Sequence, residues 1–278
     1  MLQYIYLCLK CCSSTSKNIN GDSSKEKVFI IKNEIKALKY LEEFFDQIES
    51  NRRSEKSDEL LLSRKKHEIW NDIMFMSKLK HKNISKFIAL IDNDGEFLVC
   101  CERGNCTLDK YLEEDHDKWK LTEQLLKGVC YIHSQNVALN NIAANNIYVK
   151  DDGTVLIYNF KTAKDFSKES IRKDLKRSCI KMESIYAHKN RYIQDIRSLG
   201  NIIKDIFGSK NFYLWKYKTK EQKNISIENN PTSTLADKNS GIKENEKIFE
   251  LINSCFTLDS NKIPSSAELL DSFKKIKH

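Results

Sequence analysis

Between residues 121 and 160 the chain passes from helix to loop to hairpin with almost no slack. LTEQLLKGVCYIHS carries an apolar stripe at helical spacing and runs close up to LNNIAANNIYV. NIYVK and TVLIYNF then read as two strands turned through DDG. The connecting loop has the rhythm of a buried segment feeding a short strand. It nevertheless carries asparagine at 140, 141, 145 and 146 and no carboxylate at all. If such a loop performed proton transfer, something in it would have to hold a proton, and an amide cannot.

On either side of this block the pattern divides the chain in two. IYLCLKCC and KVFIIK are β-type runs joined by the polar stretch SSTSKNINGDSSK. From Asn33 to about Leu62 the spacing turns helical and highly charged, with Leu38, Leu41 and Phe44 about one turn apart before SNRRSEKSDE breaks the run. A second helix is predicted from Ser63, with Ile69, Ile73, Met76 and Leu79 on one face. ISKFIALI and EFLVCCE follow as strands turned by DNDG. TLDKYLEE starts on Thr107 as a cap, and DIRSLGNIIKDIFG starts on Asp195 and stops at Gly208. Residues 217–246 are Lys/Asn/Ser-rich and read as a long flexible loop, and EKIFELINSCF and SSAELLDSFKKI close the chain as helices. A strand-rich start and a helix-rich remainder predict an α+β, two-lobed fold, whose small-molecule sites lie between the lobes.

Bulk composition narrows the function classes. The net charge is +8, but the lysines are scattered among Asp and Glu, and no run interleaves basic with aromatic residues, so charge alone does not argue for nucleic acid. Nine cysteines without a secretory leader suit reduced thiols in a cytoplasmic or nuclear setting. Cys8, Cys11 and Cys12 lack a second ligand pair at zinc-finger spacing, and packed thiols are the simpler reading. YIYLCLKCC is too short to span a membrane.

In their order along the chain, these blocks resemble a eukaryotic protein kinase domain. LKHKNISKF resembles the turn leaving helix C of that family, and IHSQNVALNNIAANNIYV resembles the end of helix E with the catalytic loop. TVLIYNFKTAK falls where the strand entering the Asp-Phe-Gly motif belongs. DIRSLGNIIKDIF is similar to helix F with its leading aspartate, and CFTLDSNKIPSSAELL resembles the closing helix. The implied division is a small lobe over residues 1–101, with the helical stretch at about 33–62 inserted, and a larger lobe over 102–278. On this alignment the first strand and glycine-rich loop are missing, since only Gly21 precedes Lys32, the candidate for the lysine of the third strand.

Position by position, the resemblance implies a degenerate member of the family. Leu139, Asn140 and Asn141 occupy the places of His-Arg-Asp, and Asn146 keeps the asparagine of the loop. The family's aspartate accepts and orients the substrate proton, and losing such a base costs about 10²–10⁴ in rate. Asn159, Phe160 and Lys161 stand for Asp-Phe-Gly, so a neutral amide replaces the Mg²⁺-holding carboxylate. Lys161, if turned toward the phosphates, would oppose the metal and favour the anion, which leaves room for ATP held without Mg²⁺. Asp72, nine residues before His81, takes the helix C acid position and could pair with Lys32, with Glu68 as competitor. Structural pieces persist: Phe160 and Leu139 as core, Asp195 as acceptor for the loop backbone, and Glu183 for the Ala-Pro-Glu motif, its arginine partner replaced by Ile263 beside Lys262.

The expected function is therefore a pseudokinase. Such a domain binds, scaffolds or regulates a protein partner, such as an active kinase or signalling effector. Two alternatives stay open. One is a divergent Ser/Thr or Tyr kinase, which would need a substitute carboxylate, with Asp151, Asp152 and Asp165 nearest in sequence. The other is a basic module for an anionic partner. The inserted helix reads as a solvated face or, less simply, a docking element.

Overall fold

The computed structural model describes residues 28–51, 56–93, 96–113, 116–167, 191–208 and 235–277. IYLCLKCC, the DNDG turn tip and Glu183 lie outside the described residues. The chain divides into two compact units, Met1–Leu108 with Asn145–Lys164, and Asp109–Ala144 with Asp165–His278. Residues 145–164 thus group with the first unit, where the sequence suggested a single boundary after residue 101.

The first unit is built on a three-stranded antiparallel sheet in the order β1–β2–β3, from Val28–Ile31, Phe87–Asn93 and Glu96–Cys101. Val28 pairs with Asn93 and Asn93 with Glu96, which fixes the register at the hairpin end. Helix α1, Glu34–Asn51, packs on the strands and on α2, Lys56–Lys78. Ala37, Leu41 and Phe45, four residues apart, are fully buried, and Phe97 meets Phe44 edge-on at 4.9 Å. Tyr40 donates its hydroxyl to Asp92 of β2 at 2.5 Å. The inserted helix is accordingly a core element on one face, which shares Leu41 with the stripe that the sequence suggested but buries Ala37 and Phe45 fully and leaves Leu38 and Phe44 half-buried beside them.

Helix α2 begins at Lys56, ahead of the expected Ser63, because Lys, Glu and Leu extend a helix readily and no Gly or Pro intervenes. Its expected face is buried as read: Ile69, Ile73, Met76 and Leu79 are each at most 1% exposed. A second small sheet, β4–β6–β7, joins Cys106–Thr107, Ile147–Val149 and Val155–Ile157. Gly104 lies so close to it that a Cβ there would sit 2.4 Å from the Val149 carbonyl oxygen. Asn83 links this sheet to the end of α2, donating to Val155 O at 2.9 Å and accepting from Ile157 N–H at its own carbonyl.

The second unit is helical. Leu108–Tyr111 forms a single turn (α3) across the boundary, shorter than TLDKYLEE suggested. Helix α4, Lys118–Ser134, is capped by Asp117, whose carboxylate accepts from Lys120 N–H at 2.9 Å. The two-residue strand β5, Val137–Ala138, follows it. Helix α5, Ile193–Phe207, starts two residues before Asp195 and ends at Gly208, whose φ of 94° lies in the left-handed region. Helix α6 spans Leu235–Ser254, so the expected loop at 217–246 is helical in its last part; Ile248, Leu251 and Ile252 bury the face that sustains it. Helix α7, Ser266–Lys277, opens on a capping box between Ser265 and Glu268.

Helices α4 and α7 pack together, with Trp119 against Phe273 at 5.3 Å. Glu123 of α4 reaches Lys127 at 2.5 Å and Lys277 at 2.8 Å. Those two ammonium groups, Lys127 first, hold its carboxyl down at about 2. A folded value below the unfolded one stabilises fully above the ordinary carboxyl range near 4.5 and loses that contribution as pH falls to about 2. In urea titrations, Glu123→Gln should therefore lie below the wild type at pH 6, with the gap closing between pH about 4.5 and about 2. A gap that persists at pH about 2 would mean that packing, not charge, connects these helices.

Candidate functional site

In the helical unit, one buried carboxylate organises the loop after α4. Asp195, 1% exposed in the first turn of α5, accepts Leu139 N–H at 2.8 Å and Asn140 N–H at 2.7 Å. His133 Nε2 lies 3.0 Å from the same carboxylate, and its Nδ1 lies 2.9 Å from Ser266 Oγ. A carboxylate with several donors is satisfied where water cannot reach. It also holds the backbone at Asn140 with φ of 60°, a region asparagine tolerates better than most residues. Leu139 is buried and Asn141 is exposed, so the side-chain amide of Asn141 faces solvent.

Helix α2 and the segment after β7 build the other group of residues, within the sheet unit. Asn159, with φ of 68°, donates its side-chain N–H to Asn146 Oδ1 at 2.9 Å. Its own Oδ1 is buried without a hydrogen-bond partner among the described residues. Phe160 is fully buried, lies 6.0 Å from the Phe75 ring and donates its backbone N–H to Asp72 Oδ1 at 2.5 Å. Asp72 is itself fully buried. Asn71 donates to the carbonyls of Lys161 at 3.0 Å and Ala163 at 3.2 Å. Burial pulls the Lys161 ammonium below the ordinary lysine value, while the carboxylates of Asp72 and Glu68 oppose that shift. Lys32 is exposed at the end of β1.

Below this segment Tyr158 stacks on Tyr148 at 4.1 Å and 15°, and the Arg103 guanidinium lies 4.6 Å from the Tyr148 ring. Tyr158 also donates its hydroxyl to the Asn145 carbonyl at 2.7 Å. Burial first, then the Tyr148 contact, pushes its phenol well above the ordinary tyrosine range. These rings fix the strand ends from which Asn146 and Asn159 project.

Asn146 and Asn159 are the positions at which a kinase would hold Mg²⁺, and their chemistry here does not fit that ion. Mg²⁺ demands near-octahedral oxygen ligation, with carboxylate among the donors. Two neutral amides hydrogen-bonded to each other offer no anionic oxygen, and Asn146 Oδ1 already accepts from its neighbour. Among the described residues, no group of three or more His, Cys, Asp or Glu could hold a metal. Of the carboxylates nearest in sequence, Asp151 and Asp152 are exposed turn residues, and Asp165 accepts Ser167 N–H at 2.9 Å.

The structure thus brings together Asn146 with Asn159, Asp72 with Phe160, and Leu139 with Asp195, and it keeps Lys32 at the surface. Asn71, His133 and Ser266 are participants that sequence reasoning did not single out. Their available signal was polarity at helix positions otherwise occupied by core residues.

Comparison with known proteins agrees with this architecture. The protein kinase domain family matches residues 46–273, and the chain belongs to that family. Its fold is the two-lobed α+β fold of protein kinases, with a small sheet region and a mostly helical remainder. Serine/threonine-protein kinase TIO of Arabidopsis thaliana is 26% identical over 156 residues, which cover 53% of this chain and 12% of that protein. A probable cell division protein kinase of Encephalitozoon cuniculi is 31% identical over 91 residues, covering 32% of this chain and 34% of that protein. The PAS domain-containing serine/threonine-protein kinase of Mus musculus is 27% identical over 99 residues, covering 33% of this chain and 7% of that protein. Matching regions therefore span about a third or less of each relative's length. No helix among the described residues is long and apolar enough to cross a membrane.

Asp195→Asn tests the role of the buried carboxylate. An amide can turn only one oxygen toward the two backbone donors, leaving a buried N–H without an acceptor at a cost of about 1–3 kcal/mol. Thermal unfolding should move down by several degrees, and exchange at the Leu139 and Asn140 amides should quicken. An unchanged midpoint would show that the loop stands without Asp195.

Proposed function

We propose that this kinase-family domain is a pseudokinase, serving signalling as a binding, scaffolding or allosteric module. The carrying observation is the Asn159–Asn146 amide pair: the position expected to hold the metal is neutral and hydrogen-bonded to its neighbour. Asn141 at the base position points the same way, because an amide has no proton to lose or gain at physiological pH. A missing base lowers phosphoryl transfer by about 10²–10⁴, and a missing metal ligand removes the charge that offsets the phosphates. What remains is a folded surface able to engage a protein partner, such as an active kinase or a signalling effector. If ATP is bound, it is bound without Mg²⁺.

The matched relatives carry kinase names, which favours an active enzyme as the competing reading. Purified protein should give the same unfolding midpoint in ATP with Mg²⁺ as in ATP with EDTA, and should transfer no phosphate to a generic peptide. An ATP-induced rise common to both conditions would mark a nucleotide-sensing module, and no rise would mark a pure scaffold. A rise that requires Mg²⁺, together with transfer abolished by Asn141→Ala, would establish the enzyme and refute the pseudokinase.

A further inference from the structure

A carboxylate sealed from water needs a cation or a full set of donors. Asp72 is 0% exposed, and the lysine that sequence alignment offered it, Lys32, is exposed at the end of β1. The segment after β7 comes to Asp72 instead. Phe160 N–H lies 2.5 Å from Asp72 Oδ1, which sets the next residue, Lys161, beside the carboxylate. Asn71 holds the Lys161 and Ala163 carbonyls, and Ala163 N–H donates to Phe160 O at 2.9 Å, closing the turn. Glu68 stands one helical turn before Asp72 on α2, so two carboxylates face the same stretch of chain. Glu68 shares its charge with Arg64, 3.0 Å away, whose side chain is 76% exposed.

We propose that Lys161 is the counter-ion of Asp72 and Glu68, and that residues 159–163 form a latch on α2 that closes without nucleotide or metal. Cation, backbone donor and both accepting carbonyls are carried by one five-residue turn. Neutralising Lys161 therefore removes a cation from the surroundings of the buried Asp72 carboxylate and loosens the hydrogen bonds on either side of it. The sense of the Lys161 shift agrees with this environment: burial draws the ammonium down, and the two carboxylates partly restore it. A latch of this kind keeps α2 in one position permanently, so a partner reading that helix would meet the same surface whether or not a nucleotide is present.

Hydrogen exchange on the full chain, without nucleotide, tests the latch at the Phe160 and Ala163 amides. Lys161→Met should speed their exchange by about tenfold or more, while Lys32→Met leaves them within about twofold of wild type. In an Asp72→Asn background, Lys161→Met should add less than about twofold, because the charge it served is gone. If Asp72→Asn does not fold, judged by circular dichroism, Glu68→Gln takes its place, and the Lys161→Met effect should shrink without vanishing. Unchanged exchange in Lys161→Met, an equal effect from Lys32→Met, or effects that multiply undiminished in the double variant would each overturn the proposal. The experiment concerns the free protein, so phosphate transfer found in the assay above would leave the latch standing, and a failed latch would leave the pseudokinase reading standing.

Discussion

The Asp72 carboxylate, buried on α2, sets the terms for the sheet unit. An anion removed from water must recover by contact what it loses in solvation, and one group that does so here, the Phe160 amide, belongs to the chain immediately after β7. Phe160 is consequently held at both ends, by its amide on the carboxylate and by its ring against Phe75. Asn71 fastens the carbonyls that follow. The position of α2, the path of the chain through residues 159–163 and the burial of Phe160 are one linked arrangement.

Alongside that arrangement, two neutral amides meet at the end of the β6–β7 hairpin. Asn159 donates its amide to Asn146 Oδ1, and its own oxygen, a neutral acceptor, is left over. In the helical unit, the Asp195 carboxylate is occupied by three groups from α4 and the loop after it, His133 and the Leu139 and Asn140 amides. The buried carboxylates Asp72 and Asp195 thus organise backbone, whereas the Asn146–Asn159 pair carries no charge.

Much of this was legible in the sequence. The α2 face through Ile69, Ile73, Met76 and Leu79, the hairpin of β6 and β7, and the stop at Gly208 follow from local periodicity and backbone preference. The inserted helix was harder: LEEFF offers several apolar stripes, and Phe97 of a later strand selected the one through Leu41 and Phe45. The start of α6 at Leu235 was hidden because charged helix formers and loop residues share a composition. The asparagines at 146 and 159 were singled out by motif order alone. Their mutual hydrogen bond was not, since residues 146 and 159 meet only after β6 and β7 pair. Asn71 gripping residue 161 depends likewise on long-range packing that no local window contains.

Asn159 adopts positive φ, at 68°. Aspartate and asparagine are the two non-glycine residues best suited to that conformation, and for the same reason: a short polar side chain that bonds locally. A codon change exchanging one for the other is therefore nearly invisible to the backbone, although it erases a unit of charge. A position of this kind can thus gain or lose an anion while the architecture around it stays as it is.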